Sequence, residues 1–95
     1  MLDDHFEWDD AKATSNARKH GVTFEEARQV FADPQAVEFE DTRQDYGEER
    51  WIRVGRAGRH LLVVAVAYTE RGQRLRIISA MPAPTSLRNL YEEGV

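Results

Sequence analysis

A stop signal for one helix and a start signal for the next lie only two residues apart near the N-terminus, which restricts this region to a pair of short helices. Asp9 has the side chain of a helix N-cap, and Gly21 stands where a left-handed residue ends a helix. A first helix is therefore predicted at about residues 10–20. Thr23 and Glu26 have the spacing of a capping box, so a second helix is predicted immediately afterwards.

The second helix has one apolar face and a defined end. Its apolar residues recur at helical spacing and predict a buried stripe, which consists of Phe24, Ala27, Val30 and Phe31. Asp33-Pro34 ends this helix, because a proline neither donates a main-chain hydrogen bond nor fits inside a helix. Both helices are thus expected to bury a face against the part of the chain that follows.

After Pro34 the apolar residues alternate with polar ones, which predicts strands. Strands are expected at 37–40, 50–54, 61–68 and 74–80, with the nearly continuous apolar run 61–68 at the centre. Turns at 55–58 and 69–72 join the last three strands into two hairpins. A terminal amphipathic helix is predicted at 86–93.

These elements predict a single α+β domain that spans residues 1–95. In it, two N-terminal helices pack on one face of a four-stranded antiparallel sheet, and a C-terminal helix follows. The segment 6–8 can add a short edge strand.

The composition of the chain restricts which cellular compartment and which cofactors are predicted for it. The chain has no cysteine, and its three histidines are scattered without metal-ligand spacing, so neither a disulfide nor a metal or other cofactor is predicted. The first residues are acidic rather than basic and apolar, and no apolar run reaches the ~20 residues that would span a bilayer. A soluble cytoplasmic protein without a membrane partner is expected.

Charge is distributed unevenly along the chain, although the net charge is only −4. Residues 1–49 carry 14 acidic and 5 basic side chains, whereas residues 50–76 carry seven arginines and one glutamate. In the last predicted strand, strict alternation puts Leu75, Ile77 and Ser79 on one face and Arg74, Arg76 and Ile78 on the other. The open face of the sheet is therefore predicted to be cationic, as needed to bind a phosphodiester backbone.

The chain resembles the BrnT toxins over nearly its whole length. The resemblance rests on short motifs in a characteristic order: Phe6-Glu-Trp-Asp9, Lys12, Asn16, Lys19-His20-Gly21, Phe24-Glu-Glu-Ala27, Phe31, Gly47-Glu-Glu-Arg50 and Arg74-Leu-Arg-Ile-Ile-Ser-Ala80. It implies a RelE-like fold and a bacterial toxin that inhibits translation by cleaving mRNA without a metal. It also implies neutralisation by a BrnA-like antitoxin in a complex of two toxins and two antitoxins. The antitoxin's ribbon-helix-helix dimer, and not the toxin, would contact operator DNA.

Metal-free RNA cleavage by the 2′-hydroxyl needs cations for the phosphorane and groups that transfer protons. Arg50, Arg74 and Arg76 are the predicted cations, and Glu49 is the carboxylate predicted for proton transfer, unless it is only a solvated acid at the end of a loop. Lys19 and His20 are further candidates, as a cation and a titrating group. The alternative for this pair is a favourable positive charge at a helix C-terminus.

The chain departs from the family pattern after Ala80. Where BrnT sequences usually continue with a basic pair, this chain has Met81 and Pro82. The departure removes cations that would extend the phosphate-binding face, while the helices and sheet do not depend on them. A second hypothesis follows, in which the chain is a catalytically weakened toxin scaffold that acts as the non-enzymatic partner in an antitoxin–operator repressor complex.

Overall fold

The computed structural model describes residues 1–58 and 62–94. Its elements, in chain order, are β1 (Phe6–Glu7), α1 (Asp10–His20), α2 (Phe24–Arg28), a 3₁₀ segment (Gln29–Ala32), β2 (Val37–Glu40), β3 (Trp51–Ala57), β4 (Leu62–Arg71), β5 (Arg74–Pro82) and α3 (Thr85–Glu93). Within this part of the chain, no helix is long and apolar enough to cross a membrane.

The caps predicted for the two N-terminal helices are present in the structure. The Asp9 carboxylate accepts the main-chain N–H of Lys12, and Gly21 adopts a left-handed conformation with φ of 72°. Thr23 and Glu26 form the reciprocal capping box that begins α2. The second helix differs in its last turn, which tightens into the 3₁₀ segment before Pro34.

The sheet has five strands in the order β1-β5-β4-β3-β2, which corrects the predicted four-stranded antiparallel sheet. The extra strand is β1, which pairs with β5 in parallel, with Phe6 opposite Leu75 and Glu7 opposite Arg76. The other pairings are antiparallel. The predicted central strand is central, as β4; its predicted first residue, Leu61, lies outside the described residues.

Both predicted turns differ from the expectation, because the strands extend into them; residues 59–61 of the first hairpin lie outside the described residues. β3 continues through Gly55 to Ala57, and β4 continues to Arg71, so the second turn consists of Gly72 and Gln73. Gly55 is needed for a close approach and not for a turn: a Cβ there would lie 3.1 Å from Val30 Cγ1. Gly72, with φ of 61°, provides the left-handed conformation that a two-residue hairpin turn requires.

The sheet is covered on both faces. The helices α1 and α2 lie over one core, which includes Trp8, Phe24, Val66 and Ile77. We call this face the helical face. α3 packs through Leu87 and Tyr91 on part of the opposite face, over a second core that consists mainly of Ile52, Val54, Val63, Ala65 and Ala67. We call this second face, which α3 covers only in part, the open face.

A β-bulge in β5 corrects the predicted face of Ser79. Tyr68 pairs with Ile77 and Ala67 pairs with Ser79, so Ile78 is an extra residue between two regular stretches. Ile77 and Ala80 therefore both pack in the core under the helical face. Ser79, which was predicted on the same face as Ile77, lies instead on the open face. Strict alternation fails here because the bulge inserts one unpaired residue into the period of two.

Candidate functional site

Four polar side chains form a row across one end of the open face. Glu7 of β1 is opposite Arg76 of β5, and Arg76 is opposite Thr69 of β4. Because Trp51 pairs with Tyr68, the preceding residue Arg50 comes next to Thr69 on the same face. We call Glu7, Arg76, Thr69 and Arg50 the polar row. It brings together two of the arginines that the sequence predicts for the site, one on either side of the central strand.

Thr69 fixes the spacing within the polar row. Its hydroxyl donates to the main-chain oxygen of Glu49 at 2.6 Å, which ties β4 to the residue just before Arg50. Thr69 is buried, with 3% of its surface exposed. Neighbouring strands lie about 4.8 Å apart, so the main chains of Arg50 and Arg76 are separated by roughly 10 Å across Thr69.

Arg76 is held by a carboxylate that sequence reasoning missed. Its Nη1 donates to Glu7 Oε2 at 2.7 Å, and the side chains are 30% and 17% exposed, respectively. A guanidinium has five N–H groups, so this contact leaves donors of Arg76 available to a second anion. The two residues are 69 positions apart in sequence, and no local pattern links them.

Arg50 makes two contacts that hold its guanidinium in place. Its Nε donates to Glu48 at 3.0 Å, and the same carboxylate accepts from Arg71 at 3.1 Å. The hydrogen bond from Arg50 lowers the pKa of Glu48 below its usual range. The guanidinium of Arg50 also lies over the ring of Tyr46, 4.2 Å from its centroid. Arg50 is thus positioned by an acid and an aromatic ring from the polar loop before β3.

A third guanidinium, that of Arg43, is paired with a buried carboxylate at the rim of the open face. Asp41 accepts from Nε and Nη2 of Arg43, both at 2.8 Å, and from the hydroxyl of Tyr46 at 2.9 Å. The hydrogen bonds from Arg43 hold the pKa of Asp41 well below its usual range. The Asp41 side chain is 2% exposed, whereas that of Arg43 is 73% exposed. Sequence reasoning missed this pair; the signal is that Asp41 continues the buried alternation of Val37 and Phe39.

An apolar groove of about 340 Å³ lies on the open face beside the polar row. Its lining includes Phe39, Ile52, Ala65, Ala67, Ser79, Met81 and Leu87, with Arg43 at the rim. Met81 is 38% exposed in this groove. The departure from the family pattern therefore places an apolar side chain on the face where a cation would extend the arginines of the polar row.

The remaining predicted site residues are not members of the polar row, although Arg74 lies two residues before Arg76 on the same face of β5. Arg74 begins β5, and its Nε donates to the main-chain oxygen of Asp3 at 2.7 Å. Glu49 is exposed, and its carboxylate makes no hydrogen bond or ion pair with another described residue. Its main-chain oxygen contacts Thr69, but the structure does not bring its carboxylate to Arg76.

Lys19 and His20 are at the far end of α1. The helix begins at Asp10, close to Glu7, and an 11-residue helix is about 16 Å long. These two residues therefore lie roughly one helix length from Arg76 and are not grouped with the polar row. Their position in the last turn fits the alternative interpretation, a favourable charge at the helix C-terminus.

A comparison with protein-family models finds one that is described as the ribonuclease toxin BrnT of type II toxin-antitoxin systems. It matches residues 8–86. A search of curated proteins finds no match. The family match includes four of the five strands, α1 and α2, the first two residues of α3, and every member of the polar row except Glu7.

Proposed function

Because the chain belongs to the family of BrnT ribonuclease toxins of type II toxin-antitoxin systems, we propose that it is a metal-independent endoribonuclease that cleaves mRNA. The observation that supports this proposal is the polar row, in which Arg50 and Arg76 lie on the same face of the sheet, on either side of Thr69. Both guanidinium groups are held by carboxylates and remain partly exposed. Such a row is suited to an RNA backbone that crosses the strands.

The reaction that this arrangement favours is transfer of the phosphate to the adjacent 2′-hydroxyl. The attacking oxygen forms a bond to phosphorus, the bond to the 5′-oxygen breaks, and the products are a 2′,3′-cyclic phosphate and a 5′-hydroxyl. Negative charge grows on the phosphorane oxygens, where guanidinium groups form short, charge-assisted hydrogen bonds. Arg50 and Arg76 are the residues proposed to stabilise that charge.

Arg76→Ala tests the proposal. It removes a donor to the phosphorane and is expected to reduce cleavage of a single-stranded mRNA fragment by about 10²-fold or more. The matched control is Arg88→Ala, because Arg88 is exposed on α3 and is expected to leave the rate unchanged. Circular dichroism checks that both variants are folded. Equal cleavage by the Arg76 and Arg88 variants would show that the polar row is not the catalytic site.

We further propose that the antitoxin partner is a BrnA-like ribbon-helix-helix protein and that contact with operator DNA is made through it. The toxin itself has a net charge of −4, which is unfavourable for direct binding to DNA. Its arginines are concentrated on the sheet, where an antitoxin that covers the open face would also block RNA.

A second candidate function, the weakened toxin scaffold in a repressor complex, is favoured by two observations. Arg50 and Arg76 are each engaged by a carboxylate of the chain itself, so RNA must compete with Glu48 and Glu7. Met81 occupies the open face where a further cation would attract the RNA backbone.

Restoring positive charge at positions 81 and 82 separates the two candidates. If the native residues disable catalysis, the double variant Met81→Arg with Pro82→Arg is expected to raise RNA cleavage and growth inhibition together. Both positions are exposed at the end of β5, so the fold is expected to be unchanged. Equal cleavage by native and double-variant protein, clearly above background, would reject the weakened scaffold; no cleavage by either would favour it.

A further inference from the structure

We propose that Glu7 is the carboxylate that accepts the proton of the attacking 2′-hydroxyl, in place of Glu49. This inference rests on the proposed ribonuclease function and adds a residue and a role to it. It follows from the pairing of β1 with β5, which puts the Glu7 carboxylate in direct contact with the Arg76 guanidinium on the open face.

The neighbours of Glu7 in the chain fix the direction of its side chain. Phe6 packs edge-on against Phe31, with ring centroids 5.3 Å apart, and Trp8 packs against Phe24 at 5.7 Å. Both rings belong to the core under the helical face. Because successive side chains of a strand point to opposite faces, Glu7 is held on the open face. The carboxylate is thus positioned by two aromatic anchors, the half-buried Phe6 and the buried Trp8, rather than by a loop.

The contact with Arg76 matches the geometry of the reacting group. The 2′-hydroxyl and the phosphate that it attacks are neighbours on one ribose, so a base and a phosphate-binding cation must also be neighbours. Glu7 Oε2 and Arg76 Nη1 are 2.7 Å apart, and the Glu7 side chain remains 17% exposed. RNA that contacts Arg76 would therefore bring its 2′-hydroxyl within reach of Glu7.

The other carboxylates near the open face are less suited to accept a proton. Glu48 is hydrogen-bonded by two arginines, which lower its pKa. Asp41 is buried, and hydrogen bonds from Arg43 hold its pKa well below the usual range. Neither group contacts Arg76, so neither would lie beside the 2′-hydroxyl of an RNA backbone that Arg76 holds. Glu49 makes no contact with the arginines of the polar row among the described hydrogen bonds and ion pairs.

In the proposed step, each proton moves between groups of the active site and solvent water. The 2′-hydroxyl proton moves to a carboxylate oxygen of Glu7 as the 2′-oxygen binds phosphorus. The electron pair of the breaking bond stays on the 5′-oxygen, which takes a proton from water, and the resulting hydroxide takes the proton from Glu7. Arg50 and Arg76 stay protonated throughout and stabilise the phosphorane.

Several charged groups lie on the elements next to Glu7. They are Arg74 and Arg76 on β5, Asp9 and Asp10 at the start of α1, and the N-terminal ammonium, which donates to the main-chain oxygen of Trp8. Asp9 is already engaged as the N-cap of α1 and Arg74 by the main-chain oxygen of Asp3. Arg76 is therefore the charge in direct contact with Glu7.

Glu7→Gln is the main test, because glutamine keeps the shape and a hydrogen-bond acceptor for Arg76 but does not act as a base. We expect cleavage of a single-stranded RNA oligonucleotide to fall by about 10² or more. We also expect binding of that oligonucleotide, measured by fluorescence anisotropy, to change by less than about threefold. The acid limb of the kcat/KM profile should disappear, a change that a purely structural role would not cause. Glu70→Gln, which removes an exposed carboxylate at the end of β4, is the matched control and should behave as native.

A second variant, Glu7→Asp, keeps a carboxylate with a shorter reach. It should retain part of the activity together with the acid limb. A Glu7→Gln protein that cleaves at the native rate, or an Asp variant without an acid limb, would overturn the role of Glu7 and leave the proposed ribonuclease function standing. Native protein that cleaves no RNA would overturn both.

Discussion

At the scale of single residues, Asn16 joins elements that are far apart in sequence. Its side-chain nitrogen donates to the main-chain oxygens of Val22 at 3.0 Å and Ala80 at 2.8 Å, and its side-chain oxygen accepts from the N–H of Ala80 at 3.1 Å. β1 pairs with β5 only at Leu75 and Arg76, so Asn16 satisfies main-chain groups of β5 beyond the end of β1. A buried amide thus takes the place of a neighbouring strand.

Asn16→Ala should therefore be strongly destabilising. It would leave the buried N–H and C=O of Ala80 without this partner, at an expected cost of about 2–4 kcal/mol in the free energy of unfolding. Ser15→Ala, one residue earlier at an exposed position of the same helix, should change it by less than about 0.5 kcal/mol. Urea denaturation followed by circular dichroism measures both. Similar midpoints for the two variants would contradict the bridging role of Asn16.

At the scale of elements, the bulge in β5 decides which side chains lie on the open face. Ile78 is the extra residue, and it separates Arg76 on the open face from the stretch that contains Ser79 and Met81. Without the bulge, strict alternation would turn Ala80 outward and bury Ser79. The observed arrangement instead buries Ala80, which has no exposed surface, and exposes Ser79.

Arginine substitutions at these two positions test the bulge directly. Ser79→Arg should fold with a thermal midpoint close to that of native protein, because the new side chain extends into solvent. Ala80→Arg should unfold the domain or lower its stability by more than about 4 kcal/mol, because it buries an unpaired charge. Thermal denaturation of the pair gives the answer. The opposite order of stability would show that β5 has the regular alternation.

At the scale of the whole molecule, folding pairs the acidic N-terminal half with the arginine-rich segment that follows it. Glu7 contacts Arg76, Glu38 contacts Arg53, and Glu48 bridges Arg50 and Arg71. The charge asymmetry of the sequence therefore becomes a network of ion pairs at the sheet, and not the uninterrupted cationic face that the arginines alone suggested.

The proposed antitoxin complex gives a prediction at the same scale. The isolated toxin is expected to be a monomer or weak dimer, and the complex to contain two toxins and two antitoxins. Because the antitoxin would bind only folded toxin, the thermal midpoint of the toxin should rise with antitoxin concentration. Light scattering coupled to gel filtration measures the stoichiometry, and thermal scans measure the stabilisation. A stable tetramer of toxin alone, or a midpoint independent of antitoxin, would contradict this assembly.

Short-range signals in the sequence determined most of the elements. Asp9 and Gly21 bound α1, the Thr23 capping box begins α2, and alternation located β2 to β5. These features depend on residues within about four positions of one another, which is the range of helix caps and strand periodicity. Alternation also predicted Arg74 and Arg76 on one face of the last strand, whereas Arg50 was predicted only as a cation of the site.

Only the tertiary structure decided how distant segments meet. The parallel pairing of β1 and the contact between Glu7 and Arg76 depend on packing that no local pattern encodes. Two residues are too few for β1 to be stable through its main-chain hydrogen bonds alone. It forms because Phe6 and the following Trp8 are anchored in the core. The sequence thus predicted Arg74 and Arg76 on the open face, whereas tertiary packing decided which carboxylates lie beside the arginines, because those contacts cost chain entropy that only the assembled core offsets.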